Sequence, residues 1–120
     1  MTDRRELKRQ YRETARPMGV YRVRAVGIGT SFVGTSVDVA AMLNRQRFQL
    51  ETGMHPDREL QADWDRIGAD GFSFEMLDTL EPLDEPGWDP ADDLETLAAI
   101  WRQRLVDEGE SLYGTAPTSP

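Results

Sequence analysis

Residues 18–36 (MGVYRVRAVGIGTSFVGTS) constrain the fold of this chain more than any other stretch. Residues 18–26 are rich in Val, Tyr and Ala, residues 26–30 (VGIGT) supply a glycine-containing turn, and residues 31–34 return. That pattern reads as a β-hairpin. It places Gly19-Val20-Tyr21 on one strand and Phe32-Val33-Gly34 on the other, ten residues apart. Arg22 and Arg24, two residues apart on the first strand, share a face.

The segments around the hairpin read as helices and one more strand. Residues 6–13 are polar, with Leu7 and Tyr11 at i, i+4, which predicts a short N-terminal helix ended by Pro17. Ser36 or Asp38 can cap a helix running to about Thr52. Val39, Ala40, Leu43 and Leu50 form one apolar side of it, and Val37, Ala41 and Phe48 a second, so it is expected between two layers. His55-Pro56-Asp57 starts the next helix, with Leu60, Trp64 and Ile67 at i, i+4, i+7 and Gly68 as the stop. Phe72–Leu80 alternates as a half-buried strand. Residues 81–90 hold three prolines and read as a loop. Ala91–Asp107 carries the cleanest stripe, Leu94, Leu97, Ala98, Trp101 and Leu105. The order helix, strand, strand, helix, helix, strand, helix predicts an α/β domain of the α+β type. The expected division is a helical extension over 1–17, the domain over 18–108 and a loose tail over 109–120.

Charge divides the chain. The net charge of −8 opposes nonspecific nucleic-acid binding over the whole surface. Residues 1–50 nevertheless carry net +6 and residues 51–120 net −14, so the hairpin lies in the basic half. The chain has no cysteine, which excludes disulfides and thiolate metal sites and fits a reducing cytoplasm. No run of eighteen apolar residues exists, so no membrane partner is expected. The oligomeric state is left open.

The two tripeptides, followed by Gly53-Met54-His55, Leu60-Gln61, Trp64, Gly68 and residues 72–77 (FSFEML), resemble the GIY-YIG nuclease superfamily over about residues 18–105. The resemblance implies a three-stranded antiparallel sheet flanked by helices. It also implies a metal-dependent endonuclease that hydrolyses DNA phosphodiester bonds with Mg²⁺ or Mn²⁺. The first family tyrosine is Tyr21, and the second is replaced by Phe32. The family arginine, eight residues after Gly34, is replaced by Met42; Arg45 lies one turn further on. The family's metal-binding glutamate, about one turn before an aromatic, corresponds to Ala98 before Trp101, and Glu95 is the nearby substitute.

The candidate catalytic residues are therefore Tyr21, Arg45 and His55, with Glu95 as the metal ligand. Arg22, Arg24 and Arg47 are candidates for nucleic-acid contact. His55, the sole histidine, also suits a capping or loop role. The alternative function is a catalytically inactive module on the same scaffold, binding nucleic acid or a protein partner.

Overall fold

A computed structural model describes residues 17–114. Strand β1 (Met18–Ala25) and strand β2 (Thr30–Ser36) form the hairpin, with Tyr21 opposite Gly34 and Val23 opposite Phe32. Gly29 takes φ 64° in the turn, a conformation in which a side chain is strained. Helix α1 (Val39–Glu51) follows, capped by the Asp38 carboxylate, which accepts from the Ala41 N–H at 3.1 Å. Helix α2 (Arg58–Ile67) is capped the same way by Asp57, which accepts from the Leu60 N–H at 3.0 Å. Strand β3 (Phe72–Leu80) pairs antiparallel with the other side of β1, with a register shift at Val20/Tyr21. Helix α3 (Ala91–Asp107) and a two-residue strand β4 (Ser111–Leu112) complete the order.

The sheet order is β3-β1-β2-β4. Its first three strands are the expected antiparallel sheet, and β4 adds a short parallel pair on β2. Past Ser31 the outer edge of β2 has no strand beside it among the described residues. The α+β class expected from the sequence is the one observed.

The two faces carry separate cores. On one face Val23, Ala25 and Phe72 pack with Leu50 of α1, Leu60 and Trp64 of α2, and Tyr113. On the other face Val20 and Val33 pack with Ala98 and Leu105 of α3. Helix α1 departs from its expected two-sided burial. Only Val39, Gln46 and Leu50 are buried, and Phe48 is 65% exposed. The helix covers one face of the sheet and nothing among the described residues lies over its far side.

Residues 109–114 also depart from expectation, because they are not loose. Gly109, at φ 95°, turns the chain back. The Ser111 N–H donates to the Gly29 carbonyl at 2.9 Å, and the Tyr113 N–H to the Ser31 carbonyl at 2.8 Å. Tyr113 is buried in the first core and donates its hydroxyl proton to Asp63 at 2.5 Å. The expected N-terminal helix over residues 6–13 and the end of the chain lie outside the described residues. No helix among the described residues is long and apolar enough to cross a membrane.

Candidate active site

The site is built on the hairpin. The Tyr21 ring lies across Gly34 on the neighbouring strand: a Cβ at Gly34 would stand 2.5 Å from the Tyr21 Oη and 2.6 Å from its Cζ. Any side chain there would displace the ring. Gly19 answers a second close approach, since a Cβ there would stand 1.9 Å from the Asp78 carbonyl oxygen of β3. The glycines of the two tripeptides thus let β1 sit tightly against β3 and let the tyrosine lie flat over β2.

Behind Tyr21 runs a directed chain of hydrogen bonds. The Asp57 N–H donates to His55 Nδ1 at 3.0 Å. With Nδ1 accepting, the neutral imidazole carries its proton on Nε2. That proton is donated to Gln46 Oε1 at 2.5 Å. The Gln46 amide is thereby oriented, and its Nε2 donates to the Tyr21 Oη at 3.2 Å. The phenolic oxygen is the acceptor at the end of this chain, so its own single proton is not used by Gln46. Gln46 and His55 are both buried. Gln61 anchors the far end, accepting from the His55 backbone N–H at 3.0 Å and donating to the Leu50 carbonyl at 3.0 Å.

The electrostatics keep this relay neutral. Burial lowers the His55 pKa from its usual range, and the negative charge of Asp57 opposes this without cancelling it. Burial also raises the Tyr21 pKa to about 12, although the charges of Arg102 and Arg45 pull it down. At neutral pH Tyr21 is therefore a phenol that donates, and not a phenolate that accepts. Two guanidinium charges, those of Arg102 and Arg45, act on the phenolic group, and positive charge of that kind favours an anion nearby.

Tyr21, Arg45, His55 and Glu95 occupy different tiers of this arrangement. Arg45 lies exposed on α1 within electrostatic reach of Tyr21. His55 stands two hydrogen bonds behind the phenol, where its ring meets Phe32 edge-on at 5.3 Å between centroids. It touches the phenol only through Gln46. Phe32, in place of a second tyrosine, contributes that packing and no hydroxyl. Met42, at the position where the resemblance leads one to expect an arginine, offers only its sulfur, 3.8 Å from Gln46 Nε2. Glu95 reaches the site through Arg102, whose Nη1 it holds at 3.2 Å.

Gln46 and Arg102 were not singled out from the sequence. A helical glutamine reads as solvated, and its burial depends on residues 25 and 9 positions away. The sole histidine at the start of a helix was the one available signal that a buried polar partner was needed.

Arg22 and Arg24 do not form a free cationic strip. They lie on the α3 side of the sheet, opposite Tyr21, and their charges are spent internally. Arg22 pairs with Glu75 at 2.8 Å, and Arg24 Nε with Glu110 at 2.7 Å. Ser31 donates to the same Glu110 carboxylate, whose side chain is only 8% exposed. Burial pushes the Glu110 carboxyl up, but hydrogen bonds from Arg24 and Ser31 and the charges of both arginines hold it below its usual range. The network fastens β4 to the sheet. Arg47 is likewise engaged, its guanidinium 4.4 Å from the centre of the Phe74 ring and 3.8 Å from Glu51.

A divalent metal needs oxygen ligands, for Mg²⁺ one or two carboxylates beside water and substrate phosphate. The residues here do not fit one as they stand. Ala98, at the expected ligand position, is buried in the second core and has no oxygen to offer. Glu95 is 69% exposed and paired with Arg102. Asp78 accepts from the Trp101 indole N–H at 3.0 Å and from the Thr79 N–H at 2.9 Å. Among the described residues no three acidic or histidine side chains gather to hold a metal.

No protein-family model matches this chain. No curated protein matches it. Solved structures do. A mutant of the catalytic domain of intron endonuclease I-TevI superposes with a TM-score of 0.66 at 20% identity, covering 86% of this chain and 97% of that one. A second structure, of the catalytic domain of homing endonuclease I-TevI, gives 0.61 at 21% identity, covering 78% and 94%. I-TevI is a GIY-YIG homing endonuclease. The fold of this chain is therefore that of the I-TevI catalytic domain.

Proposed function

We propose that this chain is a nuclease-type protein that takes a DNA phosphodiester at the Tyr21 hydroxyl and presents it for endonucleolytic cleavage. The observation that carries the reading is the one-way relay from the Asp57 N–H through His55 and Gln46 to Tyr21. It orients a protonated phenol as a donor beside two guanidinium charges. A phosphate oxygen, or a water bound to it, is the acceptor that suits such a donor. In this reading Tyr21 contacts the phosphodiester or its attacking water, Arg45 supplies charge from α1, and His55 and Gln46 hold the tyrosine in place. The likeness in fold to an endonuclease catalytic domain supports the same reading. Arg22 and Arg24 are left out of the interface because Glu75 and Glu110 hold them on the other face of the sheet; Arg47 of α1, half-exposed and 3.8 Å from Glu51, stays a candidate for nucleic-acid contact.

The resemblance implies Mg²⁺ or Mn²⁺ as the source of Lewis acidity. The donor set among the described residues does not fit that ion. Binding without cleavage is the second reading, and one observation favours it: the expected metal-ligand position is Ala98, packed in the core.

Incubating the full chain with supercoiled plasmid, branched DNA and single-stranded DNA, with Mg²⁺ or Mn²⁺ and then with chelator, separates the two. Cleavage that chelator stops and Tyr21→Phe abolishes supports the nuclease. Salt-dependent DNA binding without cleavage supports the silent module. Cleavage equal in wild type and Tyr21→Phe means a contaminant and removes the enzymatic reading.

A further inference from the structure

Two guanidinium charges act on Tyr21, that of Arg45 from α1 and that of Arg102 from α3. Arg102 of α3 reaches the open edge of β2, where its Nη2 donates to the Val33 carbonyl at 3.2 Å. Val33 directly precedes Gly34, over which the Tyr21 ring lies. That carbonyl sits past the end of the β2–β4 pairing, so the arginine satisfies an edge oxygen that no strand covers. The other terminal nitrogen is held by Glu95 at 3.2 Å. The Arg102 side chain remains 34% exposed.

A guanidinium has five N–H donors in a planar fork. One contact to a carbonyl and one to a carboxylate leave donors to spare. A carboxylate and a phosphate present similar oxygen pairs to such a fork. Glu95 therefore occupies Arg102 in the way a phosphate oxygen would.

We infer that Arg102 is the phosphate-binding cation of this site and that Glu95 is its resident counter-ion, displaced when a nucleic-acid phosphate arrives. The inference rests on the proposed phosphodiester site and adds to it a second binding residue. It also gives Glu95 a different role from metal ligation. The carboxylate that would have held a metal instead holds the arginine in place, keeping it extended toward the site and partly neutralised. The charge of Arg102 acts on the Tyr21 hydroxyl ahead of that of Arg45, consistent with this placement. The pairing sets a threshold: a ligand must offer more than one exposed carboxylate does to take the arginine over.

The test measures affinity of the full chain for a short DNA duplex by fluorescence anisotropy across a salt series. Glu95→Gln, Arg102→Met and the double variant are compared with wild type, with melting curves to confirm folding. Glu95→Gln is expected to tighten binding by roughly twofold to fivefold, the worth of an exposed ion pair. Arg102→Met is expected to weaken it about tenfold or more and to lower the salt slope by about one. In the Arg102→Met background, Glu95→Gln should change nothing. If Arg102→Met fails to fold, Arg102→Lys replaces it; losing the fork while keeping the charge, it should bind more weakly than wild type with an unchanged salt slope, and affinity equal to wild type would overturn the inference. An equal gain from Glu95→Gln with or without Arg102 would show general charge repulsion and overturn the inference. Unchanged affinity together with lost metal-dependent cleavage in Glu95→Gln would make Glu95 a metal ligand and overturn it too. Wild type that binds while all variants bind alike refutes this inference alone. Wild type that binds no DNA at low salt refutes the phosphodiester site and the inference with it.

Discussion

Gly34 lies directly beneath the ring of Tyr21, so close that one added methyl would stand 2.5 Å from the phenolic oxygen. Gly34 does not have a positive φ, so alanine meets no backbone strain there and the effect is steric. Gly34→Ala is expected to cost about 1–3 kcal/mol through overpacking and to swing the hydroxyl away from Gln46. In a Tyr21→Ala background the same substitution should cost close to nothing. Urea denaturation of the four proteins in the cycle checks this; equal costs in both backgrounds would contradict the contact.

The direction of the relay is testable without breaking it. Gln46→Glu keeps an acceptor for His55 Nε2–H but replaces the amide donor with a carboxylate. The Tyr21 proton then turns inward to that carboxylate. The variant should remain folded, with a secondary-structure spectrum like the wild type, and lose DNA affinity by about tenfold or more, the scale of a hydrogen bond to a charged group. Gln46→Leu leaves the His55 N–H buried without a partner and should cost about 1–3 kcal/mol in stability.

Protonation of His55 links the relay to pH. Burial places its pKa in the folded protein below the ordinary value. The unfolded chain therefore takes up a proton first as pH falls. The stability that the neutral ring contributes is fully present above about pH 6.5 and is lost as pH drops from there toward the folded value. Comparing unfolding free energies at pH 7.5 and 5.5, wild type should lose more stability than His55→Gln. Identical losses would mean that His55 does not carry this linkage.

Tyr113 should act as a core residue. Tyr113→Ala is expected to cost about 3–5 kcal/mol, as for other large aromatic truncations. Tyr113→Phe, which removes only the hydroxyl donated to Asp63, should cost about 1 kcal/mol. That hydroxyl is also the foremost cause of the lowered Asp63 pKa, so in Tyr113→Phe the Asp63 carboxyl should titrate at higher pH, measurable by NMR. A loose tail would give no effect from either change.

The elements legible in the sequence were those with local signatures. The hairpin announced itself through its tripeptides and turn. Helix α1 announced itself through Asp38, α2 through Asp57 and α3 through its stripe from Leu94 to Leu105. What stayed hidden was made by contacts distant in sequence. Strand β4 spans only Ser111–Leu112, too short for any periodicity, and exists because backbone groups 80 or more positions apart pair. The shared face of Arg22 and Arg24 was readable; their partners Glu75 and Glu110, 53 and 86 residues away, were not. Phe48 looked like core because its position is apolar, but no layer covers that side of α1. In the site, Tyr21 was legible from its motif, whereas Gln46 and Arg102 gain their roles only from where the fold brings them.

The central claim is that the Tyr21 hydroxyl, oriented by Gln46, donates to a nucleic-acid phosphodiester. The most direct measurement is the affinity of wild type and Tyr21→Phe for the same DNA duplex at low salt. The substitution removes one oxygen and its proton from a buried ring and leaves the two arginines in place. A loss of about tenfold or more, the scale of a hydrogen bond to a charged acceptor, is the result this account predicts. Equal affinity in a folded Tyr21→Phe variant would contradict it.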